Sequence, residues 1–345
     1  MGILDFLKQR PDGPAEYWVA LGHERFQPDD LLKQAQEAEK AGFDGICCSD
    51  HLAPWWTDET APTSSGNAWV WLGAVAHATT RAKLGTAVTP IVHRYNPVVV
   101  AQQIATLGIL APHRVFLGVG SGEAMNEVPA GMTWPSTEEQ LARTEEALTI
   151  ITRLLDGETV DFDGRFFKAR GARLYSRPAD RPPVFLSAFH EGAAELAGRV
   201  ADGLWTLGDP QQAPKVIGTY KSACDDAGRE PGPVVLHSVF SYAPTDEQAL
   251  EAAREWKGTM VDRHYTDDIH DPAQIHRNGD DEVPDELFTK QVICSSDPAH
   301  HVQRIKAVEK LGADVVALMN VSSADPHAAL RVYGEKVLPN LRSDS

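Results

Sequence analysis

Three short polar clusters carry the side chains that could do chemistry, and each follows a short apolar run. Leu21-Gly-His-Glu24 follows the first such run. Ser49-Asp50-His51 closes the second, with Pro54-Trp55-Trp56 just beyond. Gly118-Val-Gly-Ser121-Gly122-Glu123 closes the fourth and leads into Asn126. An imidazole titrates near neutrality, so His51 suits removal of a proton from a hydroxyl. Glu123 follows a Gly-Ser-Gly turn, where small residues let a planar ligand approach the backbone. A carboxyl group there could exchange a hydrogen bond with a ring nitrogen. The structural alternatives are a packed histidine and a solvated carboxylate.

Other chemistries find less support. Glu24, Asp50, His51 and Glu123 could surround a metal, but no H-x-x-x-H or paired Cys/His spacing accompanies them, so no metal is expected. Gly120-Ser-Gly lacks the G-x-S-x-G spacing of a nucleophile elbow. Trp69 and Trp71, two apart, read as helix packing.

The elements that would position these residues alternate along the chain. Strands are expected at Tyr17–Leu21, Gly45–Ser49, Lys83–Thr89, Arg114–Val119, Val184–Ala188, Gly203–Thr206, Val234–Tyr242 and Val315–Met319. A helical pattern follows each. Examples are Asp30–Ala41 with Gly42 as its stop, Ser136-Thr-Glu-Glu139 as a capping box, and Asp297-Pro298 as a cap followed by proline. Eight strand–helix units specify a parallel sheet closed into a (β/α)8 TIM barrel, an α/β fold. An open doubly wound sheet is the alternative, but its dinucleotide form needs G-x-G-x-x-G after an early strand, and none is present. In such barrels the site lies at the C-terminal ends of the strands, where Thr89 and Thr206 also fall.

A single barrel domain is expected over 1–345, with two insertions. Residues 156–182, containing Asp-Phe-Asp-Gly-Arg-Phe-Phe, read as a hairpin. Residues 258–291 are acidic, contain histidines and read as a structureless insert, a candidate lid or a surface elaboration.

Composition narrows the partners. Lys and Arg total 32 against 49 Asp and Glu, giving −17. Nucleic acid and anionic membrane are excluded as partners, because both call for basic patches. Cys47, Cys48, Cys224 and Cys294 form no CxxC or secretory framework, which suits a reducing cytoplasm. Residues 1–14 lack an apolar leader core, and no run of 18 apolar residues occurs.

Ser49-Asp-His-Leu-Ala-Pro-Trp55, Arg94-Tyr-Asn-Pro97 and Gly118-Val-Gly-Ser-Gly-Glu-Ala-Met-Asn-Glu127 together resemble the luciferase-like oxidoreductases that use the deazaflavin coenzyme F420. The likeness is to the branch of F420-dependent glucose-6-phosphate and secondary alcohol dehydrogenases, and it runs from about Tyr17 to Leu338. The resemblance implies roles. His51 would take the substrate hydroxyl proton. Glu123 would lie near the ring N1 of the coenzyme. Trp55 would pack on the substrate, and Glu24 would lie near it. Asp50, Thr89, Ser121, Gly122, Asn126, Phe189 and His190 would bind coenzyme, with a cis peptide at Ala87–Val88 behind the ring. Phe189-His190 departs from the glycines usual in the family. A homodimer is also implied.

The family's sugar-phosphate enzymes hold the phosphate with basic side chains. The corresponding positions here fall near Asp209–Pro210, at Thr266 and at Gln291, none of them basic, although Lys215, Arg263 and Lys290 lie nearby in sequence. The expected substrate is therefore a non-phosphorylated alcohol, sugar or ketone. Three alternatives stay open: a sugar-phosphate dehydrogenase, an FMN-dependent monooxygenase of the same superfamily, and a deazaflavin carrier without catalysis.

Overall fold

The computed structural model describes residues 6–7, 15–57 and 63–343. Most of the stretch 1–14, expected to lack a leader core, therefore lies outside the described residues.

Twelve strands are assigned among them: β1 (Glu16–Leu21), β2 (Gly45–Cys48), β3 (Lys83–Thr86), β4 (Thr89–Pro90), β5 (Leu117–Gly120), β6 (Val160–Asp163), β7 (Lys168–Ala172), β8 (Val184–Ser187), β9 (Gly203–Leu207), β10 (Val234–Tyr242), β11 (Val292–Ser295) and β12 (Val315–Asn320). Parallel pairing runs β3-β2-β1-β12-β10-β9-β8-β5-β4. A parallel bridge from Leu84 to Val115 joins β3 to the approach of β5 and brings the ends of the sheet together. Once β4, the β6–β7 pair and β11 are set aside, neighbours around this ring are successive strands of the chain, apart from the seam where β1 meets β12. This is the expected (β/α)8 barrel.

The strands read as unbroken apolar runs because both of their faces are covered. One face packs under the helices. The other fills the barrel with Trp18, Ala20, Cys47, Phe116, Phe185, Trp205, Val235, Val315 and Ala317, closed from below by Phe6 and Leu7. The helices begin where local polar groups satisfy their free N–H groups. Asn67, Asn96, Ser136, Thr245 and Asp297 each accept a backbone N–H of the first turn. Only half of the expected capping box forms at Ser136, because the Glu139 carboxylate is engaged by Arg143. Gly42, at φ 98°, ends the helix Pro28–Ala41.

Three sequence expectations shift. The strand expected over 83–89 breaks after Thr86, because the Ala87–Val88 peptide is cis and turns the chain before β4. The stretch 258–291 is not structureless: it carries helices Arg263–Thr266, Pro272–Glu282 and Asp285–Gln291. It ends in a strand the sequence reading did not find, β11, which runs parallel to Val239–Tyr242 beyond the ring. Within 156–182, β6 and β7 form an antiparallel pair. No helix among the described residues is long and apolar enough to cross a membrane.

One buried polar pair ties β11 to the last helices. His301 is fully buried, with Nδ1 2.8 Å from the Tyr333 hydroxyl and Nε2 3.0 Å from the Ser295 carbonyl. The carbonyl can only accept, so Nε2 carries the proton and Tyr333 donates to Nδ1. Burial pushes the His301 pKa down to about 4. The unfolded chain then binds more protons than the fold between about pH 6.5 and 4, so this contribution to stability is lost as pH falls through that window. Tyr333→Phe orphans Nδ1 and should cost about 1–2 kcal/mol at pH 7. Urea unfolding at pH 7 checks it; a loss below experimental error would refute the bond.

Candidate active site

The site forms where β1, β2 and β5 end. β1 and β2 are in register with Leu21 beside Cys48, so the residues just after each strand meet. Ser49 Oγ donates to Glu24 Oε2 at 2.7 Å and accepts from the His23 amide at 3.0 Å. This leaves Glu24 Oε1 facing His51 Nδ1 at 3.4 Å. On the other side of the imidazole, Nε2 lies 3.9 Å from Glu123 Oε2. Glu24 is only 1% exposed, whereas the His51 and Glu123 side chains retain 10% and 20%. His51 Nδ1 is buried and makes no hydrogen bond.

Asn126 sets the spacing of this acid–imidazole–acid row. It is fully buried and lies on the short helix Ala124–Glu127. Its Oδ1 accepts from the amides of Leu52 and Ala53 at 2.8 and 3.1 Å, while its Nδ2 donates to Glu123 Oε2 at 3.0 Å. One side chain thus holds both the loop after His51 and the carboxylate opposite. Trp55 is 4% exposed, with its ring 5.4 Å from the imidazole.

Asp50 points elsewhere. Its Oδ2 accepts from Thr89 at 2.8 Å, and its Oδ1 accepts from Tyr95 at 3.1 Å and Arg94 at 3.0 Å. Arg94 also reaches Glu127, with its amide donating to Oε2 at 3.0 Å and Nη1 3.6 Å from Oε1. Glu127 is fully buried, and that burial lifts its carboxyl to about 7 despite the guanidinium. Asp50, Thr89, Tyr95, Arg94 and Glu127 form a buried network under the acid–imidazole row. Sequence reading gave Arg94, Tyr95 and Glu127 no role of their own. Their pairing spans more than thirty residues and leaves no local periodicity to detect.

The remaining candidates line the barrel mouth. Ala87 and Val88 keep partial exposure and pack on the aromatic filling of the ring. Gly120 faces them, and a Cβ there would sit 2.8 Å from Val88 Cγ2, so only glycine allows the approach. Ser121 and Gly122 are partly exposed, and Gly122 has φ +87°. Phe189 and His190 precede the helix Glu191–Val200. His190 is exposed and makes no side-chain cap. Phe189 turns its ring toward Tyr265, a residue of the 258–291 stretch that sequence reading passed over.

A mouth with a glycine wall, a polar carboxylate on one side and an imidazole facing it fits a flat coenzyme with a polar edge. The luciferase-like monooxygenase family model matches residues 1–315. The chain belongs to this family. Among relatives of this luciferase-like chain, an F420-dependent glucose-6-phosphate dehydrogenase of Microbacterium testaceum is 37% identical over 335 residues, covering 95% of this chain and 98% of the relative. A protein of the same name from Beutenbergia cavernae is 40% identical over 329 residues, covering 93% and 95%. A solved F420-dependent secondary alcohol dehydrogenase, in complex with an F420-acetone adduct, superposes with a TM-score of 0.90 at 31% identity. It covers 96% of this chain and 100% of its own. The luciferase-like barrel thus sits between relatives named for a sugar phosphate and a neighbour named for secondary alcohols.

Proposed function

We propose that this chain is an F420-dependent oxidoreductase acting on a CH–OH group, and that its substrate is a non-phosphorylated alcohol, sugar or ketone. The observation that carries the reading is His51 standing between Glu24 and Glu123 at the mouth of a barrel whose relatives are named for F420. The coenzyme, when bound, supplies a hydride acceptor at C5 of its deazaflavin ring.

The residues then do the rest. In oxidation the carbinol carbon gives up its hydrogen with the electron pair, the O–H proton passes to His51, and a carbonyl forms. Glu24, 3.4 Å from Nδ1, stabilises the imidazolium so produced. Glu123 serves the polar edge of the coenzyme, Asn126 holds Glu123 and the His51 loop at fixed separation, and Trp55 excludes water from the reacting carbon. Asp50, Ala87, Val88, Thr89, Ser121, Gly122, Phe189 and His190 complete the coenzyme's surroundings. Homodimeric assembly and a cytoplasmic setting belong to the same proposal.

The substrate half rests on what occupies the positions where relatives would need cations. Asp209 and Gln291 hydrogen bond to each other at 3.0 Å. Thr266 gives its hydroxyl to Asp267. Two of the three nearby cations are engaged: Lys215 pairs with Glu191 at 3.1 Å, and Arg263 pairs with Glu282. A dianionic phosphate would meet an aspartate with no free guanidinium beside it. Purified protein loaded with F420 should bleach the coenzyme absorbance with secondary alcohols and not with micromolar glucose 6-phosphate. Turnover of glucose 6-phosphate would overturn the substrate half. FMN binding with oxygen consumption would overturn the coenzyme half.

A further inference from the structure

The loop carrying His51 is gripped through its backbone. Arg94 Nη2 donates to the Asp50 carbonyl, and Asn126 Oδ1 accepts the Leu52 amide. The carbonyl of the same His51–Leu52 peptide accepts from Ser65 Oγ at 2.7 Å. Both peptides flanking the His51 Cα are thus fixed, the second at its N–H and its C=O together. Ser65 belongs to the segment 64–67, which leads into the helix Ala68–Ala78. This segment also reaches the acid facing His51. The Ser64 amide donates to the Glu24 carbonyl at 2.9 Å. The Gly66 carbonyl lies 2.8 Å from His23 Nδ1. A carbonyl only accepts, so Nδ1 carries the proton, and burial pushes the His23 pKa down, which keeps the ring neutral. The same ring meets Trp71 of the helix edge-on, at 5.0 Å and 86°. Gly66 has no room for a side chain: a Cβ there would sit 2.7 Å from Pro28 Cγ. Asn67 then caps the helix by accepting the Val70 amide at 3.0 Å.

We infer that Ser65 is a positioning residue for the proton-transfer step: with Ser64 it straps His51 to Glu24, so that the imidazole stays set between its two carboxylates. This deepens the proposed function and rests on it. The strap acts on His51 through the backbone and not on the substrate. Its need follows from the side chain it serves. His51 Nδ1 makes no hydrogen bond and stands 3.4 Å from Glu24 Oε1, beyond ordinary N–H···O length. Nothing on that nitrogen fixes the ring, so its place depends on the peptides on either side. A turn of the His51–Leu52 peptide carries the imidazole away from Glu24, and a misplacement of about 1 Å costs on the order of a hundredfold in rate.

The experiment compares Ser65→Ala with Ser65→Thr. Ser65 is partly exposed, so in Ser65→Ala water takes over the freed carbonyl and the fold survives, but water does not hold the angle of the peptide. Melting followed by circular dichroism should therefore shift by no more than about 2 °C. On F420-loaded protein, kcat with 2-butanol should fall about ten- to a hundredfold in Ser65→Ala, while KM and F420 affinity stay within about twofold. Ser65→Thr keeps the hydroxyl and should return kcat to within about threefold of wild type. A second readout needs no coenzyme. In protein carrying isotope-labelled histidine, the His51 ring signals are identified by their absence from His51→Asn. They should move or broaden in Ser65→Ala and match wild type in Ser65→Thr. Wild-type kcat in Ser65→Ala, a loss shared equally by KM and coenzyme affinity, or Ser65→Thr as slow as Ser65→Ala would each overturn the inference. Fluorescence titration of F420 separates this from failure of the underlying reading. Tight coenzyme binding and turnover, with His51 signals and kcat unmoved in Ser65→Ala, defeats the strap alone. Wild-type protein that binds no F420 defeats the proposed function, and the ring signals then still decide whether Ser65 sets the imidazole.

Discussion

His51→Asn is expected to lower kcat by about 10²–10⁴-fold with a secondary alcohol, while F420 affinity stays within a few-fold. Asparagine approximates the volume of the imidazole and keeps a donor toward Glu24, so the loop bound to Asn126 should not move. What it cannot do is take the hydroxyl proton. The Glu24 and Glu123 carboxylates lie on either side of His51, at 3.4 and 3.9 Å, and a proton deposited on the imidazole is stabilised from both. With that acceptor gone, the hydroxyl keeps its proton as hydride leaves, and a high-energy protonated carbonyl must form. Stopped-flow absorbance of the coenzyme measures the hydride step directly, and fluorescence titration measures affinity. Unchanged hydride transfer in the variant would remove His51 from the mechanism. Equal inactivity of wild type and variant with every alcohol and ketone would favour a carrier.

Trp18→Ala is the second large effect, and it concerns stability. Trp18 is fully buried inside the ring, stacked on Phe116 at 4.4 Å and 24°, with Phe185 and Trp205 each 6.2 Å away. Its indole N–H donates to Glu16 Oε2 at 2.9 Å, beside the Lys83 ammonium that pairs with the same carboxylate. Neighbours fixed in separate strands cannot collapse into the space an indole leaves. The cost should be about 3–5 kcal/mol, which for a chain of this size lowers Tm by about 4–7 °C. Thermal unfolding followed by circular dichroism checks this. A loss below 1 kcal/mol would mean that the barrel interior is not filled as described.

The barrel and the acid–imidazole row were legible for a simple reason. In a parallel barrel every strand is a short apolar run and every functional end points the same way, so the polar residue after each run is a candidate by position alone. His51, Glu24 and Glu123 were found that way, and Asn126 through its motif. The rest depended on contacts between distant segments. Tyr265 meets Trp55 only because the 258–291 helices fold back over the mouth, and nothing in their sequence states where they dock. Val292–Ser295 is four residues long, and its partner is the extension of β10 beyond the ring, so neither length nor alternation marks it as a strand. Neither the cis geometry of Ala87–Val88 nor the Arg94–Glu127 pairing follows from composition or period. The first entered through resemblance, and the second through the structure alone.

The ladder between β11 and Val239–Tyr242 has a mechanical consequence for the helices above the mouth. Their far end is laced by backbone hydrogen bonds to the longest strand of the barrel, while their near end enters through Arg254–Met260, a 3-10 segment. Such a cover cannot lift off as a free flap. A movement of these helices about β11 would part Trp256 from Trp56 and Tyr265 from Trp55 together, so opening the entrance and breaking both aromatic contacts would be a single event.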